Sequence, residues 1–305
     1  MRKYLLKILL FFAIVVAIDF CFGCVCDYMV AHAKGGSNKQ MNDLCMNDQY
    51  DILIMGSSRA RHHYDSRIIE DSLGMTCYNA GYDGNGIILA DGLYSIISER
   101  YKPKLIVYDL TLGFDYYEYS EDQHDTRYIS QIKPYYKHQQ IQDIVYRISQ
   151  EEYYKLASGL IRNNCKTINL VKENVIITPT DDDGFVPLKG KMGYEPTNFE
   201  ELAANTMVDS TKLFFLEDFI QRVKSDSVQL VFAISPRYKS SSKKMYLELE
   251  KVCAKNNVTL LDFYNDSDLS SDKSLYEDIA HLNEEGAAEF TSKFCVALKE
   301  HVLKN

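Results

Sequence analysis

Five short apolar runs recur along the chain, at residues 52–55, 75–79, 105–110, 229–234 and 258–263. The first, Ile52-Leu53-Ile54-Met55, has no polar interruption. Runs of this kind suit strands buried on both faces, as in a parallel sheet. Helix-like patterns lie between them. Ile68, Ile69 and Leu73 share one side, with Arg67, Glu70 and Asp71 around them. Ile87, Ile88, Leu89, Leu93, Ile96 and Ile97 give another apolar face, and Leu213, Phe214, Leu216, Phe219 and Ile220 a third, within a helix expected over 203–223. Further helices are expected over 245–254 and 284–303, the last with Asn283 as N-cap and two acids in its first turn. Strand and helix alternate five times. This predicts an α/β fold: a three-layer, doubly wound, five-stranded parallel sheet.

The rhythm is absent in two places. Arg2, Lys3 and Lys7 precede an apolar run over 8–25 that only Asp19 interrupts. Its length is near the roughly 20 residues that span a bilayer. The leading positive charges direct the remainder out of the cytoplasm, to the periplasm or cell surface. Phe22-Gly23-Cys24 makes a poor lipoprotein site, and no small-x-small cleavage site follows the run, so an uncleaved anchor over 1–26 is expected rather than a signal peptide. Residues 27–48 are polar, with Gly35-Gly36-Ser37-Asn38, and read as a membrane-proximal stalk. The remaining residues, 49–305, form one domain with an insertion at about 113–205. The insertion carries nine tyrosines between Tyr116 and Tyr154, with a helical stretch over 141–160. It is expected to cover the active-site edge of the sheet. Its tyrosines suit either sugar rings and a partner surface or ordinary packing.

Composition narrows the function classes. The chain of 305 residues is 46% hydrophobic and 12% aromatic, as a globular protein is. The net charge is −9, and the leader holds three of the cations, so the remainder is more acidic still. Such a domain is a poor general binder of nucleic acid. Eight cysteines are present, three of them in the leader; the rest, Cys45, Cys77, Cys165, Cys253 and Cys295, never fall as Cys-x-x-Cys. Their spacing argues against zinc. The three consecutive aspartates at 181–183 lack the spaced ligands of a calcium loop. No metal and no cofactor are expected.

The chemistry gathers at two points. Gly56-Ser57-Ser58 follows the first strand and opens a helix. Gly56 permits a sharp turn, and the two hydroxyls meet free helix N–H groups. Helix capping alone would account for them. Near the other end stands Asp278-Ile-Ala-His281, whose spacing puts a carboxylate and an imidazole on one side of a turn. A base oriented by an acid is what a serine nucleophile requires. Arg59, Arg61, His62 and His63 crowd the serine helix, where cations oppose the dipole and hint at an anionic contact. Gly81, Gly84 and Gly86 offer backbone N–H groups after the second strand. Asp109 ends the third strand and Arg237 follows the fourth, both at the edge where open α/β sheets bind ligands. Arg59, Asp109 and Arg237 are therefore candidate substrate-binding residues, although the structural role, ordering the serine loop or capping the next turn, suits Asp109 better.

Taken together, these motifs resemble the SGNH/GDSL hydrolase superfamily. Gly56-Ser57-Ser58 looks like its first block, with Ser58 as nucleophile and Ser57 in place of the usual Asp. Asn79-Ala-Gly81-Tyr-Asp-Gly84 resembles the second block, and Asp278-Ile-Ala-His281 the last. The third block, Gly-x-Asn-Asp, is not found; Tyr108-Asp109-Leu110-Thr111 stands in its place. The resemblance implies a flavodoxin-like sheet and a Ser58–His281–Asp278 triad. It also implies an oxyanion hole from the Ser58 and Gly84 amides, with Asn85 as candidate side-chain donor. The Gly-Ser-Ser form is similar to the membrane-anchored branch associated with cell-envelope acyl transfer. A serine esterase or O-acyltransferase is implied, acting on acylated envelope carbohydrate or another ester and leaving room for a membrane acyl-donor partner. The rival is a catalytically weak scaffold that binds glycan or a membrane partner. A phosphate-binding loop ranks last, because Gly-Lys-Ser/Thr is absent.

Overall fold

All five apolar runs are strands: β1 Ile52–Gly56, β2 Cys77–Asn79, β3 Leu105–Asp109, β4 Gln229–Ile234 and β5 Thr259–Asp262. The computed structural model describes residues 1–118, 128–164, 166–175, 177, 183–203, 205–239 and 243–301. Tyr119, Cys165, Asp181 and Asp182 lie outside the described residues. The strands form one all-parallel sheet in the order β2-β1-β3-β4-β5. The order reverses between β1 and β3, which opens a crevice at their carboxyl ends. Gly56 ends β1 opposite Asp109, and a Cβ there would lie 2.7 Å from the Asp109 carbonyl oxygen, so only glycine fits.

Both faces of the sheet are covered, which explains why the strands read as continuous apolar runs. Ile52, Ile54, Leu105, Val107 and Val231 pack with Ile69, Phe290 and Phe294. On the other face Tyr108 meets Phe219, which also meets Tyr94. Tyr94 and Phe219 come from helices Ile87–Arg100 and Ser210–Ser225, which cover this face.

Several helices depart from their sequence-based bounds, and each departure has a cap behind it. The helix after the serines is two helices, Ser58–His63 and Ser66–Leu73. Asp65 restarts the second by accepting the Arg67 amide, while Thr291 accepts the Asp65 amide and donates to the His63 carbonyl. The stretch over 141–160 is three helices, Gln139–Ile148, Gln150–Lys155 and Gly159–Arg162, interrupted where Ser149 and Ser158 act as N-caps. The helix expected from 203 starts at Ser210, because Asp209 caps it through Thr211 and Lys212. The last helix is Glu284–His301.

The chain divides into two compact units: residues 1–47 with 125–180, and residues 48–124 with 181–305. The tyrosine-rich segment is thus split. Residues 183–203 belong to the sheet unit, while 128–164 and 166–175 belong to the unit that contains the N-terminal helix. That helix, Arg2–Ala31, is long and apolar enough to cross a membrane, with a mean hydropathy of 2.8 over its most apolar window. The expected stalk is folded instead. The helix continues to Ala31, and helix Gly36–Asn42 with a π-helical turn Asp43–Asn47 follows. Buried Asn42 donates to the Val30 carbonyl and accepts from the Tyr135 hydroxyl, so a polar sequence here serves packing.

Candidate active site

Two adjacent serines leave β1 and take different directions. Ser57 is the N-cap of the serine helix and is fully buried; its Oγ accepts from the Arg59 amide and pairs with Thr111 Oγ1 at 2.8 Å. Ser58, the first helical residue, turns outward, and its Oγ lies 2.8 Å from His281 Nε2. His281 Nδ1 in turn lies 2.9 Å from Asp278 Oδ2 and 3.0 Å from Oδ1. Ser58, His281 and Asp278 therefore form a continuous hydrogen-bonded chain, although 223 positions separate the serine from the histidine.

The Asp-x-x-His spacing works through a tight turn. Asp278 Oδ1 accepts the Ala280 and His281 amides, which folds the carboxylate back beneath the imidazole. Burial pushes the Asp278 carboxyl up, but the hydrogen bond and charge of His281 and these two amides outweigh it and hold it below its ordinary range. The carboxylate is thus ionised wherever His281 could act as a base.

A cavity of about 550 Å³ opens over Ser58 and His281. Its lining includes Gly84, Thr111, Phe114, Leu188 and Leu202. Gly84 adopts φ +65° with open space where a Cβ would point, so its backbone reaches the cavity bare. The loop is held against the serine helix by Asn79, which donates to the Ala60 and Tyr64 carbonyls and accepts the Gly81 amide. A Cβ on Gly81 would stand 2.4 Å from the Arg61 nitrogen, so this approach also demands glycine. Asn85 is buried, and its side-chain amide donates to the Asp83 carbonyl within its own loop rather than lining the cavity.

The three candidate substrate-binding residues separate. Arg59 and Asp109 are both buried and face each other, Nε to Oδ2 at 3.7 Å. Arg59 donates to the Leu110 carbonyl at 2.7 Å. Burial opposes its charge, but Tyr246, Asp109 and Glu201 keep it firmly protonated. Asp109 accepts both the amide and the hydroxyl of Ser235, and burial lifts its carboxyl against the pull of Arg59. Asp109 thus takes the structural role and has no place in the cavity lining. Arg59 and Arg237 both line the cavity; Arg237 donates to the Phe199 carbonyl at 2.5 Å.

Sequence reasoning missed two residues. His63 Nε2 accepts the Leu282 amide at 3.0 Å, so its proton sits on Nδ1 and is donated to Ser235 Oγ. The Ser235 hydroxyl in turn donates to Asp109 Oδ2. Burial, then the neighbouring His281 and Arg59, hold the His63 imidazole well below its usual range and therefore neutral. Asp109, Ser235 and His63 thus support the amide next to His281. The second missed residue is Thr111, which brings a hydroxyl to the cavity directly after β3. The adjacent histidines on the serine helix, and a hydroxyl where the third block is expected, were the available signals. Among the described residues, no group of three or more His, Cys, Asp or Glu side chains could hold a metal.

No protein-family model matches the chain, and no curated protein matches it.

Proposed function

We propose that this protein is a membrane-anchored, SGNH-like serine esterase or O-acyltransferase acting on acylated carbohydrate of the cell envelope. The observation that carries the reading is the Ser58–His281–Asp278 hydrogen-bonded chain, with Ser58 and His281 lining an open cavity. The sheet order and the crevice between β1 and β3 support the flavodoxin-like, SGNH-type architecture.

His281 takes the Ser58 proton as Ser58 Oγ attacks an ester carbonyl, and Asp278 stabilises the imidazolium. The Ser58 and Gly84 amides face the oxyanion. Collapse breaks the ester bond, and His281 returns the proton to the departing alkoxide. An acyl-Ser58 ester remains. Water as the second nucleophile regenerates the serine and releases a carboxylic acid; a sugar hydroxyl gives the transferred ester. Loss of one oxyanion donor costs about 100- to 1000-fold in rate, so the position of Asn85 away from the cavity favours a second reading, a scaffold of low activity that binds glycan or a membrane partner.

The retained anchor is supported by how the N-terminal helix is used. Gly23, Cys26 and Val30 are buried in its own unit, and Asp27 pairs with Arg162 at 3.0 Å. A cleaved leader would leave these partners bare. Arg2, Lys3 and Lys7 at one end orient the remainder out of the cytoplasm.

The test uses the full chain in detergent with p-nitrophenyl acetate and a fluorophosphonate probe, beside Ser58→Ala and His281→Ala. Hydrolysis and labelling that vanish in both variants support the serine site. Equal behaviour of all three proteins, without labelling of Ser58, overturns it and leaves the binding scaffold.

A further inference from the structure

The unit built on the N-terminal helix carries an apolar surface that packing leaves uncovered. Leu160 and Ile161 are about half exposed, and Ile168, Val175 and Ile177 are each 73% exposed. Ile168, Val171 and Val175 fall at i, i+3 and i+7 of helix Thr167–Val175 and so share one stripe, while Leu170 on the other side is buried against Cys26 and Val30.

The anchor helix sets the depth of this surface. From Lys7 to Tyr28 is 21 residues, about 32 Å of helix at 1.5 Å per residue, which matches a hydrocarbon thickness of about 30 Å. Tyr28 is 64% exposed, as suits an interfacial aromatic. Asp27 beside it is paired with Arg162 and Lys137. With these two ends at the two headgroup layers, Asp19 falls about 14 Å below the outer one. A carboxylate there needs partners, and residues 158–160 provide them. Ser158 Oγ and the Leu160 amide each donate to Asp19 at 2.8 Å, and the Gly159 amide at 3.1 Å. The backbone N–H groups that start helix Gly159–Arg162 are satisfied in return, which hydrocarbon also demands. Gly159 lies so close to Gly23 that a Cβ on it would stand 2.5 Å from the Gly23 Cα.

We propose that residues 158–164 and 166–175 are immersed in the outer leaflet beside the anchor. Helix Gly159–Arg162 dips below the headgroups, and helix Thr167–Val175 lies at the acyl boundary with its exposed stripe in lipid. The inference rests on the retained anchor proposed above. Lipid is the occupant because the patch is continuous with the membrane helix and shares its one intramembrane carboxylate.

The chain has no tryptophan, so one introduced indole reports its own surroundings. Full-length Phe12→Trp, Ile161→Trp and Ile168→Trp would each be reconstituted alone into phosphatidylcholine vesicles, with and without acyl-chain bromination. Phe12→Trp reports the anchor. The expected result is blue-shifted emission and at least about twofold bromine quenching at Ile161 and Ile168, with little quenching by aqueous iodide. Solvent-like emission at either site beside a quenched Phe12→Trp overturns the proposal and points to a protein partner on the patch. An unquenched Phe12→Trp removes the anchor reading and the inference with it.

Discussion

The imidazole of His63 accepts the backbone amide of Leu282 at 3.0 Å, which fastens the residue next to His281 to the serine helix. His63→Leu offers no acceptor at the same place, and the loop holding His281 loses its tether. We expect kcat towards p-nitrophenyl acetate to fall about tenfold or more, by displacement of the base from near-attack geometry, while Ser58 remains present for slow labelling by the fluorophosphonate.

The same residue makes stability depend on pH. In the unfolded chain the histidine takes up a proton as the pH falls through about 6.5. In the folded chain its pKa is depressed, so the unfolded state binds more protons below that value. Folding stability should therefore decline on acidification below the ordinary histidine range. A urea midpoint series over pH would show this slope, and the slope should be weaker in His63→Leu.

The two serines should separate cleanly. On the proposed serine-esterase reading, Ser58→Ala should abolish hydrolysis and labelling with little effect on the melting temperature. Ser57→Ala removes an N-cap and the Thr111 contact, with an expected cost of about 1 kcal/mol, and keeps probe labelling. Mass-spectrometric mapping of the labelled peptide identifies the modified serine.

Asp278→Asn tests whether the carboxylate orients the base. Loss of the charge and of the correct tautomer should lower kcat by about 10³- to 10⁴-fold, with substrate KM nearly unchanged. Because the Asp278 carboxyl is held below its ordinary value, its contribution to stability is present above that ordinary value and is lost only as the pH falls through its lower folded-state value. Wild-type activity should thus show no acid limb from Asp278 near neutrality.

Gly159→Leu tests the close approach to the anchor helix. A Cβ there would meet the Asp19 carbonyl oxygen at 2.5 Å. Overpacking of this kind costs about 1–3 kcal/mol. Limited proteolysis of the reconstituted full chain should show earlier cleavage between residues 128 and 175, while triad labelling reports whether the sheet unit is intact.

Periodicity and local spacing carried much of this protein in the sequence. The five strands were legible because burial on both faces writes continuous apolar runs, and the N-terminal helix because its apolar run is long and nearly uninterrupted. Asp278 and His281 could be paired because three residues suffice to close their turn. Capping serines were legible one at a time but not as interruptions: Ser149 and Ser158 break a stretch whose apolar pattern continues through them.

What only the tertiary structure decided lies between distant segments. Which of two neighbouring serines meets His281 depends on how β1 enters its helix. Arg59 and Asp109 carry the charge expected of ligand-binding groups, yet the pairing of β1 with β3 buries them against each other. His63 acquires its role from Ser235 and Leu282, more than 170 positions away. Residues 158–160 join the N-terminal helix because Asp19 and the amides of residues 159 and 160 satisfy one another. Spacing along the chain encodes contacts within a turn or an element; contacts across elements are set by topology and by the need of each buried polar group for a partner.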